Sequence, residues 1–366
     1  MHLGSDGVAP AQDPAPDPLD VEDLRNRVHK TLDDFLSRQS DALDQVGDDL
    51  APLMDAIGDL LRGGKRLRPA FCYWGWRGAG GDDSPAIVSV AASLELFQAA
   101  ALIHDDVMDG SDTRRGMPAV HRRFAALHRG NRWLGSSEDF GVAGAILAGD
   151  LCLSWCDELY AGSGLPDAQL AAGRAVFDRM RTELMCGQYL DMLEQVLAST
   201  SVERARHVIL YKSAKYTVQE PLLLGGTLAG APADLLATYD EVGRTLGEAF
   251  QLRDDELGVF GDPAETGKPA GDDLREGKRT VLVAVTLDRC SPAEAAAVRR
   301  SLGDPHLDPD GVDRLREVIT DSGALAVVED MIRDLSERAL AAVAGVEPPA
   351  RGVLEGLVAA ATARTQ

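Results

Sequence analysis

The sequence predicts an all-α protein, and three observations carry that expectation. Alanine and leucine dominate a chain that is 45% hydrophobic but only 5% aromatic, a balance that favours helix over strand. Apolar residues return at spacings of three and four, as at Val21, Leu24, Val28, Leu32 and Leu36. β-Branched runs are short, and no stretch reads as a paired strand or as an internal repeat. The 366 residues suit one large domain or two ordinary ones. We read a disordered Pro/Ala/Asp-rich tail over residues 1–19, with little to bury, and a single helical domain over residues 20–366.

Composition also bounds function. A net charge of −22 leaves no basic stripe to neutralise phosphates, which argues against a nucleic-acid partner. Cys72, Cys152, Cys156, Cys186 and Cys290 form no zinc-like pairing and read as thiols, buried where the context is apolar. No secretory signal is visible. No uninterrupted apolar run reaches the ~20 residues that span a bilayer. A cytoplasmic protein without an integral membrane segment is expected.

In chain order, a helix begins near Val21 and a second covers Leu50 to Leu61, stopping at Gly63-Gly64. Next comes GGKRLRP, where Lys65, Arg66 and Arg68 gather near a helix start that favours anions. These residues are either solvated or phosphate-gripping. A long helix from about Pro85 to Met108 delivers Asp105, Asp106 and Asp109. Asp105 and Asp109 lie one turn apart on one face. Carboxylates crowded in this way resist ionisation unless a cation lies between them, and hard oxygen ligands suit Mg²⁺. Two arginines, Arg114 and Arg115, follow. A short basic helix is expected over His121–His128, a loop over Arg129–Phe140, and helices over Gly141–Tyr160 and Pro166–Leu197. The last of these carries Glu183, Gln188 and Asp191 as a lining or an exposed stripe.

Within Val208–Gly226, Lys212 and Lys215 are embedded among apolar residues and Pro221 should interrupt the helix. Such lysines either find an anionic partner, a bound diphosphate being one candidate, or snorkel to solvent. A helix from about Pro232 to Phe260 brings Gln251 and a second acidic pair, Asp254 and Asp255. A polar loop with Lys268 and Lys278 follows. From Thr280 the chain is helical again, broken near Gly303–Gly311 and at Pro348-Pro349.

Two acidic clusters, about 150 residues apart on long apolar helices, could face each other across a bundle interior. Carboxylates for Mg²⁺, cations for diphosphate and apolar walls for hydrocarbon together describe a lipid-diphosphate site. The motifs GGKRLRP, HDDVMD with DTRRGMP, YKSAK, FQLRDDELGVFGD and GKPAGDDLREGKRT resemble those of the trans-isoprenyl diphosphate synthases (polyprenyl synthetases), most closely geranylgeranyl diphosphate synthases. The resemblance runs from about residue 21 onward.

That resemblance implies an isoprenoid-synthase-type helical bundle around a deep central cavity, usually a homodimer. It implies condensation of isopentenyl diphosphate with an allylic diphosphate, with roughly three Mg²⁺ ions per active site held by carboxylates. Carried over by position, Asp105, Asp106, Asp109, Asp254 and Asp255 bind metal. Lys65, Arg68, Arg115 and Gln98, the last where many relatives have His, face isopentenyl diphosphate. Arg114, Lys212, Lys268 and Lys278 hold the allylic diphosphate. Ser213, where relatives often have Thr, and Gln251 turn oxygen dipoles toward an allylic cation.

Ala100 and Ala101 leave the upper cavity open, and Phe97, roughly 12 Å below Asp105 by helical rise, is either its floor or ordinary core packing. A product of twenty carbons is expected. The second cluster departs from DDxxD because position 258 is Gly. The same letters fit a DDxxGxxxD pattern ending at Asp262, so a class I terpene cyclase is the alternative; a non-catalytic subunit of a heteromeric synthase is another.

Overall fold

A computed structural model describes residues 18–262 and 271–362. The apolar spacing becomes helices α1 (Leu24–Asp44), α2 (Ala51–Arg62), α3 (Leu67–Gly78), α4 (Pro85–Asp109), α5 (Val120–Asn131), α6 (Ser137–Ala161) and α7 (Asp167–Leu197). The short helix α8 (Val202–Val208) runs into a π-helical segment, Ile209–Gln219, and then α9 (Glu220–Leu228). The long α10 (Ala233–Phe260) follows, with α11 (Asp272–Glu276), α12 (Val281–Arg289), α13 (Pro292–Ser301), α14 (Pro309–Asp321), α15 (Ala324–Val343) and α16 (Ala350–Thr362) completing the order.

Three features differ from the sequence reading. Leu19 is buried in the main core and Pro18 lies against Gly356, so packing begins inside the expected tail. The loop expected over residues 129–140 shrinks because Ser136 accepts a hydrogen bond from the Asp139 amide and caps α6 early. The chain also has a two-stranded antiparallel pair, β1 (Thr113–Arg114) and β2 (Met117–Pro118). Arg115 and Gly116 between them have φ of 54° and 72°, the positive pair that a two-residue hairpin turn requires.

Pro221 interrupts the helix as expected, but through a π segment rather than a break. The Glu220 amide donates to the carbonyl of Lys215, five residues back. One residue on, proline has no N–H to continue the ladder. Such segments widen a helix and occur often at functional sites.

Two apolar cores form. Among the described residues the larger gathers α1 to α7, α9, α10, the end of α15 and α16; the smaller joins α8, the end of α10 and the helices from α11 to α15. Helix α4 packs on α3 and α6, and the π segment packs on α7 and α10. Neither α4 nor α6 is an uninterrupted apolar run, yet each is long and apolar enough to cross a membrane by length and composition alone. The α4 stretch is 78% buried within the protein, which accounts for its composition as a core helix. α6 buries one side only.

Candidate active site

A cavity of about 840 Å³ opens between the ends of α4, α7, α10 and the π segment. Its mouth is charged. Lys65, Arg68, Asp105, Arg114, Lys212, Asp254, Asp255, Asp273 and Lys278 line that part, and Phe97, Ala100, Ala101 and Leu184 line the apolar part. Gln98, Ser213 and Gln251 also face it.

The first acidic cluster is divided by helix geometry. Adjacent residues on a helix point about 100° apart, so Asp105 and Asp106 take different hydrogen-bond partners. Asp105 Oδ1 accepts from Gln188 Nε2 at 2.7 Å and from Lys212 Nζ at 3.2 Å. Asp106 is buried and ion-paired with Arg114, whose Nε donates to Oδ1 at 2.9 Å. Burial disfavours the Arg114 charge, but Asp106 and Asp105 hold the guanidinium above its ordinary range. Asp109 lies one turn beyond Asp105. Burial and then the Asp105 charge push its carboxyl up to about 6.

Lys212 is held at the centre. Its ammonium donates to Asp191 Oδ2 at 2.6 Å as well as to Asp105. It reaches this position because Gly187 lets the π segment close onto α7; a Cβ there would overlap the Tyr211–Lys212 backbone. Lys215 pairs with Glu183 at 2.7 Å and is 14% exposed, so of the two options left by the sequence it takes the anionic partner. Gln188 and Asp191, noted as polar positions on a long helix, belong to this site. Their contacts span 83 and 21 residues, and no local pattern selects them from an exposed stripe.

In the second cluster Gln251 donates through Nε2 to Asp255 Oδ1 at 2.7 Å. That bond uses the amide's donor end, leaving its carbonyl oxygen as the end available to the cavity. Burial, and then the nearby charges of Asp273 and Asp254, push Asp255 up to about 8. Lys278 bridges Asp273 at 3.0 Å and Glu276 at 2.8 Å. Asp273 and Glu276 were missed as site residues, although their motif was recognised.

The basic side is built around the hairpin. Arg114 turns to the acidic cluster, whereas Arg115 donates to the Leu60 carbonyl at 2.7 Å and lies against Gly63 and Gly64. Burial, and then the neighbouring Arg66, Arg114 and Arg68, lower the Arg115 pKa despite Glu95, the signature of a cationic cluster that an anion would relieve. Arg68 sits 4.2 Å over the Tyr216 ring and donates to Thr217 Oγ1 at 2.8 Å. Arg66, between Lys65 and Arg68 in sequence, instead pairs with buried Glu95 and caps the Leu61 carbonyl. Lys268 lies outside the described residues.

The acidic clusters suit a divalent cation. Asp109 Oδ2 is buried with no hydrogen-bond partner among the described residues, and two carboxyls resist ionisation where an added positive charge would reverse the cost.

Comparison with known proteins agrees with this geometry. The polyprenyl synthetase family model matches residues 51–319. Geranylfarnesyl diphosphate synthase of Aeropyrum pernix is 34% identical over 281 residues, covering 76% of this chain and 82% of the relative. Geranylgeranyl diphosphate synthase of Sulfolobus acidocaldarius is 32% identical over 261 residues, covering 70% and 74%. The crystal structure of a Corynebacterium glutamicum geranylgeranyl pyrophosphate synthase complexed with isoprenyl diphosphate and magnesium is 41% identical. It superposes with a TM-score of 0.91 over 93% of this chain and 98% of that one. A helical bundle closing on one cavity with both acidic clusters at its mouth thus joins sequence kinship over most of the chain: the chain belongs to the polyprenyl synthetase family and is a prenyltransferase of the prenyl diphosphate synthase class.

Proposed function

We propose that the enzyme condenses isopentenyl diphosphate with an allylic diphosphate (dimethylallyl, geranyl or farnesyl) to make geranylgeranyl diphosphate. One observation carries this reading: a single cavity joins a mouth of paired carboxylates and cations to an apolar interior. Asp105, Asp109, Asp254 and Asp255 would hold Mg²⁺, while Asp106 contributes by fixing Arg114. When bound, Mg²⁺ supplies Lewis-acid charge to the diphosphate oxygens.

The chain's own groups do the rest. Lys212, Lys278 and Arg114 place positive charge where the departing diphosphate becomes more negative. Lys65, Arg68 and Arg115 gather on the other side, where a second diphosphate brings its double bond close to the allylic carbon. Ser213 and the Gln251 carbonyl turn oxygen dipoles to the developing carbocation. Ala100 and Ala101 leave room for the growing chain, and Phe97 closes the path against Tyr216, ring centroids 6.2 Å apart.

The exposed apolar side chains Phe140, Val142, Ile146 and Leu147 on α6 support a homodimer formed through this helix, which a mass measurement in solution tests. All five cysteines are free, in keeping with a reducing cytoplasmic setting. Incubation with labelled isopentenyl diphosphate, Mg²⁺ and each allylic primer tests the reaction. A labelled twenty-carbon diphosphate is expected; an unlabelled hydrocarbon or alcohol would replace this reading with a cyclase. Turnover by the purified protein alone would exclude a non-catalytic subunit.

A further inference from the structure

The second acidic cluster lacks a side chain at position 258, one turn after Asp254 on the same face of α10. That space is filled from elsewhere. A Cβ built on Gly258 would fall on the Asp273 carboxylate, with Oδ2 the nearest atom. Asp273 comes from α11, further along the chain than α10, and it lines the cavity together with Asp254, Asp255 and Gly258. Asp262, which completes the alternative spacing in sequence, is exposed and is not part of the cavity wall.

We propose that Asp273 is the third carboxylate of the second cluster, entering the space left by Gly258 and serving the cation held by Asp254 and Asp255. The inference rests on the reading of the site as a metal-dependent diphosphate site. It makes Gly258 a steric requirement: any side chain there competes with Asp273 for one volume. Lys278 bridges Asp273 and Glu276, so removing the Asp273 charge leaves the lysine with a partner and the fold intact.

The test is Mn²⁺ binding with inorganic pyrophosphate, followed by electron paramagnetic resonance and calorimetry on the full chain. Asp273→Asn should weaken Mn²⁺ binding about 10- to 100-fold, the range seen when groups supporting a metal are removed, whereas Asp262→Asn should leave it unchanged. Gly258→Asp alone should lower both affinity and melting temperature, because two carboxylates then compete for one space. Gly258→Asp with Asp273→Ala should recover binding, since the acid is supplied from the helix instead. Wild-type affinity in Asp273→Asn would overturn the proposal, as would a loss confined to Asp262→Asn. Wild-type protein that neither binds Mn²⁺ with pyrophosphate nor incorporates labelled isopentenyl diphosphate would remove the underlying reading as well. An active wild type with an indifferent Asp273 removes this inference alone.

Discussion

Lys212 Nζ lies 3.2 Å from Asp105 Oδ1, joining the π segment to the acidic end of α4 across 107 residues. Burial disfavours the ammonium, yet Asp105 and Asp191 hold its pKa above the ordinary lysine range. The lysine therefore stays charged at neutral pH and is placed to meet a diphosphate. Lys212→Ala is expected to lower kcat/KM on the order of 100-fold or more, as for loss of one preorganised donor to developing negative charge. Steady-state kinetics with an allylic primer checks this, and an unchanged kcat/KM would leave Lys212 a purely structural role.

Phe97 meets Tyr216 edge to face in the cavity wall. Phe97→Ala should cost about 3 kcal/mol by cavity formation and lengthen the product beyond twenty carbons. Denaturant titration and chromatography of the products read the two effects separately. An unchanged product distribution removes Phe97 from chain-length control.

Arg114, itself only 17% exposed, forms an ion pair with buried Asp106. Removing one partner leaves the other charge uncompensated, so Arg114→Met should destabilise the protein by about 3–5 kcal/mol. Arg114→Met with Asp106→Leu should recover much of that loss. Urea denaturation of the single and double variants measures the difference, and equal stabilities of all three proteins would contradict the pairing.

Gly187 allows α7 and the π segment to touch backbone to backbone. Gly187→Ala should cost about 1–3 kcal/mol through overpacking and displace Lys212 from Asp105. Activity should fall by more than the fraction unfolded explains, which paired melting and kinetic measurements resolve.

Asp109 is pushed up to about 6 and Asp255 to about 8, each first by burial. A carboxyl whose folded pKa exceeds its unfolded value stabilises the fold while protonated and loses that contribution as pH rises through the folded value. Metal-free protein should therefore lose melting temperature between about pH 5 and about pH 8.5. Glu256, raised to about 7 by burial and the nearby Glu329 against the opposing charge of Arg253, acts in the same direction. Mg²⁺ with pyrophosphate should raise Tm more at pH 8 than at pH 6, about where the cation no longer displaces protons. Thermal melts across this range check the sign; a metal-induced shift larger at the acidic end would contradict it.

Much of the site was legible because its residues stand on regular helices. The four-residue step from Asp105 to Asp109 places them on one face before any fold is known. The same geometry separates Asp105 from Asp106, but the resemblance counted both as metal ligands, and only the pairing of Asp106 with Arg114 told them apart. Gln188 and Asp191 were visible only as polar positions on a long helix, because their partners come from α4 and the π segment. Arg66 looked equivalent to Arg68, yet its guanidinium turns inward to Glu95. Adjacent residues of like charge leave that choice to packing.

By itself the sequence determined the helices, the motifs and the kind of chemistry, since side-chain period and residue type are local properties. Only the tertiary structure decided that Pro221 is accommodated by a π segment, that Lys212 bridges Asp105 and Asp191, and that Asp273 fills the space at Gly258. The first turns on a hydrogen-bond register of five residues rather than four. The other two turn on side chains that only the packing of separate elements brings together, for which local spacing carries no term.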